Sequence, residues 1–347
     1  MRLRDVTEGE LLARVFPVYA GSSHAAWASV PVGPGDDAAV VGTPGGSVVA
    51  TTDSMVRGRD WHDDWSSAHD VGVKVAAQNL ADVAAMGAVP TALLVSLVAD
   101  PELEVEWAVE LARGIASLAE QAGAPVVGGD LSSAPPGVVV VSVTALGDLR
   151  GRTPVLRSGA RAGDVVAVCG SLGWSGGGLV LLERGEPDPD RVGAPRAEEV
   201  GDRVAAVRTL MRHHRAPVPP WQAGPAAAAA GAHALIDVSD GLVTDLDRVA
   251  TASGVEGDLV GGVLRRSYAE GPLSLALGPD EALRQVLSGG EEHCLVGVFA
   301  DEASLPAGTD QPWRVVGRVL PAGPAGPRVT VDGEVPDAPG WDHFARR

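Results

Sequence analysis

Five acidic segments carry most of the chemistry this sequence offers, four of them setting carboxylates beside glycine or hydroxyl residues. Gly35-Asp36-Asp37-Ala38-Ala39 precedes Val40-Val41 and reads as a tight turn leading into a strand, where adjacent Asp residues either cap the backbone or bind a metal. Thr51-Thr52-Asp53 closes the run Ser47–Thr52, which puts hydroxyls and a carboxylate at the carboxyl end of a strand, an oxygen-rich cup suited to a hard cation. Between Ala68 and Gly87, helical spacing lines up Val73, Ala76, Leu80, Val83 and Gly87 as a core stripe. The same spacing gathers Lys74, Gln78, Asn79 and Asp82 on another side, either solvated or functional.

Pro125–Val127 leads into Gly128-Gly129-Asp130, read as a glycine turn at which backbone can approach a ligand next to a carboxylate. Ala234–Val238 is an apolar run broken by Asp237, and Ser239-Asp240-Gly241 then opens a helix carrying Leu242, Leu246 and Val249. Ser239 or Asp240 would cap that helix. A carboxylate inside an apolar run is costly without hydrogen-bond partners or a metal. Together the five segments point to clustered Mg²⁺. There is no GxxxxGK[ST] loop, no HRD/DFG pair and no GxGxxG after a strand, which excludes the familiar nucleotide-binding architectures. Gly170-Ser171-Leu172-Gly173-Trp174-Ser175-Gly176-Gly177-Gly178 either offers helix N-terminal amides to an anion or is a flexible turn.

The elements that must position these residues read as mixed α/β. Short Val-rich runs (Gly46–Thr52, Thr91–Val98, Val138–Leu146) alternate with Ala-rich helical windows (Ala68–Gly87, Val105–Ala122). Val138–Val143 reads as buried on both faces. The turn-rich stretch Arg150–Asp164 precedes a fresh strand, Val165–Cys169, so the boundary between two domains is placed at 150/151. Gly185–Gly201 reads as an exposed, mobile loop, and Asp332-Gly333 within Val329–Val335 signals a hairpin.

Composition narrows the partners. The 347 residues carry a formal charge of −18, and every basic residue except Lys74 is an arginine. A broad nucleic-acid or anionic-membrane surface would need basic stripes this chain lacks, and a phosphate substrate would need metal ions. No apolar run approaches the roughly 18 residues of a membrane span. Cys169 and Cys294 lack any metal-site spacing, and a reducing cytosol is the simpler expectation.

In order and spacing, GDDAAVV at 35–41, TTDSMVRG at 51–58, KVAAQNLADVAAMGAVP at 74–90, GGDLS at 128–132, RSGARAGD at 157–164, IDVSDGLVTDL at 236–246, SGGEEH at 288–293 and GWDHF at 340–344 resemble the thiamine-monophosphate kinase family. That family sits in the superfamily of aminoimidazole ribonucleotide synthetase. The resemblance implies an N-terminal α/β domain (1–150) that binds ATP and Mg²⁺ and dimerises through its sheet, and a C-terminal α/β domain (151–347). It implies Asp37, Thr51, Thr52, Asp53, Asp82, Asp130, Asp237 and Asp240 as Mg²⁺ ligands, with Asp53, Asp130 and Asp240 central to catalysis. Gly129, Asp130, Arg157 and Ser239 would contact ATP; Asp60, Glu291 and Trp341 would face thiamine monophosphate, Trp341 stacking on the cationic thiazolium. A cytoplasmic homodimer is implied as well.

Two departures fall in the acceptor region: Asp60, with His62 two residues on, stands where the family has a histidine, and Glu291-Glu292-His293 replaces Glu-Asp-Tyr. The acceptor is already a phosphate monoester, so no strong base is needed, and the expected reaction is direct in-line transfer giving thiamine diphosphate and ADP. The rivals are a superfamily sister, a non-catalytic ATP-binding relative supported by Asp60 and Glu292-His293, and a kinase for another phosphorylated small molecule. Sisters that make selenophosphate need an early reactive cysteine, and none precedes Cys169.

Overall fold

Alternation of burial is clearest in the last strand of the first sheet. In β4 (Val139–Asp148), Val139, Val141, Val143 and Ala145 are buried while Val140, Ser142, Thr144 and Leu146 are half-buried. Within one chain Val138–Val143 is therefore covered on one face only, with Val140 and Ser142 half-buried on the other. The computed structural model describes residues 1–20, 26–33, 38–190, 201–308, 311–337 and 340. The chain divides into two units, Met1–Val83 with Ala88–Thr153, and Ala84–Gly87 with Pro154–Arg347. Each has its own sheet, and the fold class is mixed α/β.

The first unit contains α1 (Glu8–Ala20), β1 (Val48–Val56), α2 (Ala68–Ala85), β2 (Val89–Ala99), α3 (Val105–Ala122), β3 (Val126–Ser133) and β4. Strand order is β1-β4-β2-β3, with only β2 and β3 parallel, joined through α3 as parallel neighbours require. Ser67 and Asp70 start α2 by exchanging backbone hydrogen bonds at 2.9 and 3.2 Å, and left-handed Gly123 ends α3. The two helices cross backbone to backbone. A Cβ on Gly72 would lie 2.2 Å from the Leu111 carbonyl oxygen, and one on Gly114 would lie 2.1 Å from that of His69.

Register assigns the sheet's two faces. Thr51, Asp53 and Met55 share the helix-covered face with Val141, Val143 and Ala145. The opposite face carries a row of hydroxyls: Thr144 donates to Thr52 at 3.0 Å, and Ser54 and Ser142 share a hydrogen bond at 2.6 Å.

The second unit contains β5 (Val165–Cys169), α4 (Trp174–Glu183), α5 (Asp202–Arg215), α6 (Ala223–Ala229), β6 (Ala234–Asp237), α7 (Leu242–Ser253), β7 (Val255–Leu259), β8 (Leu295–Phe299), β9 (Trp313–Pro321) and β10 (Arg328–Val331). The sheet order is β10-β7-β9-β5-β8-β6, antiparallel except for β10 beside β7. Ala167, Cys169, Leu235, Leu295, Phe299 and Trp313 build a core on one face, against α6.

Residues 186–190 are strapped to α5, where a mobile loop is expected from the sequence. Glu186 pairs with Arg203, Asp190 with Arg208 and Arg212, and half-buried Asp188 with buried Arg215. Residues 191–200 lie outside the described ones. The Asp332-Gly333 signal marks a tight turn with both residues at positive φ, closed by Val331 N–H to Glu334 O at 2.8 Å. Beyond β10 this pairing amounts to a single bridge.

Candidate active site

Strand β1 delivers the first group of candidate residues from its middle, not its carboxyl end. Thr51 Oγ1 donates to Asp82 Oδ2 at 2.6 Å, and the Asp53 N–H donates to Asn79 Oδ1 at 3.1 Å. Thr51, Asp53 and Asp82 thus share the face between β1 and α2. Thr52 turns the other way, its hydroxyl donating to Val143 O at 3.0 Å. The polar side of α2 is not solvated: Lys74 and Asn79 are buried, while Gln78 and Asp82 are half-buried. Asp37 lies outside the described residues.

Gly128-Gly129-Asp130 is a stretch of strand β3 rather than a turn. Gly129 is required by the sheet itself, since a Cβ there would lie 1.8 Å from the Val95 carbonyl oxygen. Asp130 pairs in register with Ser96, itself opposite Ser142 on the hydroxyl face, and accepts from Ser132 Oγ at 3.0 Å. Three strand spacings, roughly 14 Å, separate β3 from β1. Within the first unit, then, Asp130 does not join Asp53 and Asp82. A cavity of about 130 Å³ runs between α1, α3 and the β2–β3 edge, lined by Leu12, Val15, Phe16, Val95 and Leu111 and reaching Gly129 and Asp130.

The second unit gathers its own group where β6 ends. Asp237 is buried, with His293 Nδ1 3.4 Å from its Oδ2. Neither Ser239 nor Asp240 caps α7. Asp245, in the helix's first turn, turns back to accept the backbone N–H groups of Ser239, Asp240 and Gly241 at 3.0, 2.9 and 3.1 Å. Ser239 and Asp240 are thereby left half-exposed on the turn. Arg248 ties the arrangement together, reaching Asp240 at 2.5 Å and also Asp245. Burial, reinforced by the charge of Asp237, pushes the Asp245 carboxyl up to about 7 against the pull of the backbone donors and Arg248.

Loop 288–293 lies against this turn. The Glu291 N–H donates to Ser239 O at 2.7 Å, and a Cβ on Gly290 would lie 2.7 Å from the same oxygen. Glu291 and His293 both take positive φ, 58° and 54°, so successive side chains diverge. Glu292 points inward, accepting the Ser175 N–H, with Ser171 Oγ and His213 Nε2 each at 3.1 Å. Glu291 remains partly exposed, its Oε2 3.6 Å from His214 Nδ1.

One amide at the start of α4, that of Ser175, therefore already serves an internal carboxylate. The glycines are packing residues: Cβ atoms on Gly176, Gly177 and Gly178 would strike Gln285, Leu273 and the Leu210 carbonyl at 2.4, 2.6 and 2.3 Å. The Gly170–Gly178 run is thus neither a free anion cradle nor a flexible turn.

Arg157 is placed apart from Ser239. Its carbonyl accepts from Ser253 Oγ at 2.9 Å, at the other end of α7, a helix length of about 18 Å from Asp240. Asp60 accepts the Val56 N–H at 2.7 Å and so closes the turn after β1, while Arg57 pairs with Asp63. The sequence departures at Asp60, Glu292 and His293 thus have local structural roles. Trp341 lies outside the described residues; Gly340, just before it, sits on the α7 turn, where a Cβ would meet Thr244 Oγ1 at 2.1 Å and Asp240 O at 2.5 Å.

Sequence reasoning missed Asp245, His213 and His214. An acidic residue in the first turn of α7 signals the first; no spacing marks the histidines, which reach loop 288–293 only through the packing of α5 on α4.

The class to which this fold belongs is given by residues 35–149, which match the family model of the AIR synthase related protein, N-terminal domain. The chain is 46% identical over 319 residues to the thiamine-monophosphate kinase of Mycobacterium tuberculosis (strain H37Rv), covering 91% of this chain and 87% of that relative. It belongs to the thiamine-monophosphate kinase family. The crystal structure of thiamine-monophosphate kinase from Stenotrophomonas maltophilia K279a superposes with a TM-score of 0.77 at 29% identity, over 95% of this chain and 98% of that one. AaThiL complexed with AMPPCP and TMP gives a TM-score of 0.69 at 27% identity, over 99% of each chain.

Proposed function

We propose that this protein transfers the γ-phosphoryl group of ATP to thiamine monophosphate, giving thiamine diphosphate and ADP. The observation that carries the reading is 46% identity, over nine-tenths of the chain, to a thiamine-monophosphate kinase. A relative of the same fold binds AMPPCP and TMP together. The candidate residues suit such a reaction, being oxygen donors without a strong base.

Among the described residues, no three or more His, Cys, Asp or Glu side chains are grouped to hold a metal ion. That fits Mg²⁺, which is usually bound by one or two carboxylates, with water and substrate phosphates completing its shell. Asp53 and Asp82, with Thr51, would supply one such set; Asp237 and Asp240 would supply another, and Asp37, Thr52 and Asp130 are assigned as ligands by the family resemblance. When bound, the ions would offset the charge of two polyanions and hold the attacking and leaving oxygens in line.

In this reading Asp53, Asp130 and Asp240 fix the phosphates and carry no proton, because the acceptor phosphate is already largely ionised near neutral pH. The adenine ring would enter the apolar cavity beside Gly129 and Asp130, and Ser239 would meet the phosphates. Arg157 is assigned to ATP by the resemblance. Glu291 and Trp341 would receive the thiamine moiety, with Asp60 bordering it.

The hydroxyl face of the first sheet would seat a second copy of the chain, making a homodimer. Two buried free cysteines suit a reducing cytoplasm, and no described helix is long and apolar enough to cross a membrane. Incubation with ATP, Mg²⁺ and thiamine monophosphate, followed by chromatography, tests the assignment; thiamine diphosphate with matching ADP is the expected result.

A further inference from the structure

We infer that His214 is a positioning residue for the acceptor, acting through Glu291; the inference rests on the assignment of Glu291 to thiamine monophosphate. Glu291 is the one carboxylate of loop 288–293 left partly exposed, at 29% of its side chain. Glu292 beside it turns the other way and is buried, accepting the Ser175 N–H. Its neighbour across the gap is His214 Nδ1, 3.6 Å from Glu291 Oε2.

His214 is a fixed post. Its side chain is 6% exposed, and Ser175 Oγ lies 3.1 Å from the same Nδ1. Its Cβ is clamped by the close crossing of α4 and α5, since a Cβ on Gly178 would lie 2.7 Å from it. A rigid imidazole 3.6 Å from a partly exposed carboxylate restricts the directions that carboxylate takes. Adjacent histidines thus serve adjacent glutamates: His213 locks Glu292 into the interior, and His214 sets the direction of Glu291 toward a ligand.

The effect should fall on the acceptor and spare ATP. His214→Ala is expected to raise KM for thiamine monophosphate about tenfold, the loss typical of one charge-assisted contact, with KM for ATP unchanged. His214→Asn, whose amide nitrogen overlays Nδ1, should restore most of it. In a Glu291→Gln background, His214→Ala should add nothing further. Calorimetric titration of thiamine monophosphate with a non-hydrolysable ATP analogue present reads the same contrasts without turnover.

Additive effects of His214→Ala and Glu291→Gln would overturn the inference, as would equal damage to both KM values or a failure of His214→Asn to rescue. If His214→Ala does not fold, Ser175→Ala, which removes the other oxygen at Nδ1, should raise the acceptor KM alone; no rise overturns the inference. A wild-type protein that neither binds nor consumes thiamine monophosphate overturns the functional assignment itself, and the wild-type arm alone separates that outcome from the others.

Discussion

The Thr51 hydroxyl donates to Asp82 Oδ2 across 2.6 Å, joining the middle of β1 to α2 on the face where Asp53 also stands. The hydroxyl orients the Asp82 carboxylate. Asp53→Ala and Asp130→Ala are each expected to lower kcat by about a hundredfold or more. Circular dichroism should stay unchanged. Chelation of Mg²⁺ should abolish turnover and its return restore it. Full turnover by both variants would remove the metal assignment.

The hydroxyl face predicts a dimer in solution. Light scattering should give twice the chain mass, and Thr144→Arg, which puts a charge in the middle of that face, should yield monomer. A wild-type monomer at working concentration would count against the proposal.

Gly178→Ala should destabilise the second unit by roughly 1–3 kcal/mol, the usual cost of overpacking, because the new methyl would meet the Leu210 carbonyl oxygen and the His214 Cβ. Gly185→Ala, with open space around its Cβ but a φ of 66°, pays only backbone strain. Urea midpoints compare the two, and a smaller loss for Gly178→Ala would contradict the packing account.

The raised Asp245 carboxyl gives the metal-free protein a signed pH dependence. Between the ordinary aspartate value of 3.8 and about 7, the folded state holds a proton the unfolded state has released, so this group's contribution to stability falls as pH rises through that window. Above about 7 it is level. Asp245→Asn keeps an oxygen for the three N–H donors and has no proton to lose. Its stability relative to wild type should therefore improve from pH 5 to pH 8; a constant difference would refute the shift.

Gly340→Ala should raise KM for thiamine monophosphate several-fold, because its methyl would push the chain off Thr244 and Asp240, moving the adjoining Trp341. Trp341→Ala should do the same by about tenfold, the loss of one cation–aromatic contact, with KM for ATP unmoved in both. An unchanged acceptor constant in Trp341→Ala would undo the stacking assignment.

Much of this architecture is legible in the sequence. The period of Val105–Ala122 gives α3 residue for residue, and Val165–Cys169 gives β5, since apolar spacing and flanking turns agree there. Glycine is where composition and fold part. Gly128-Gly129 reads as a turn from its composition, yet it is a strand that must pass close to the Val95 carbonyl. Gly170–Gly178 reads either as a helix start offering amides to an anion or as a flexible turn, yet Gly176, Gly177 and Gly178 face packed neighbours. A missing Cβ records only that something comes near; whether that is a ligand or another backbone depends on contacts distant in sequence. The separation of Asp130 from Asp53 is likewise invisible without the strand order, because equal motif strength says nothing about which face a side chain takes.

The Gly72–Gly114 crossing has a consequence for how tolerance to mutation is distributed in this protein. Neither residue has a side chain to offer chemistry, but a single methyl at either position wedges α2 and α3 apart, and α2 is the element that holds Asn79 and Asp82 against β1. A saturation map of activity should therefore show intolerant positions that no inventory of polar groups would nominate. Loss at these two glycines should track the placement of Asn79 and Asp82 against β1 rather than global unfolding.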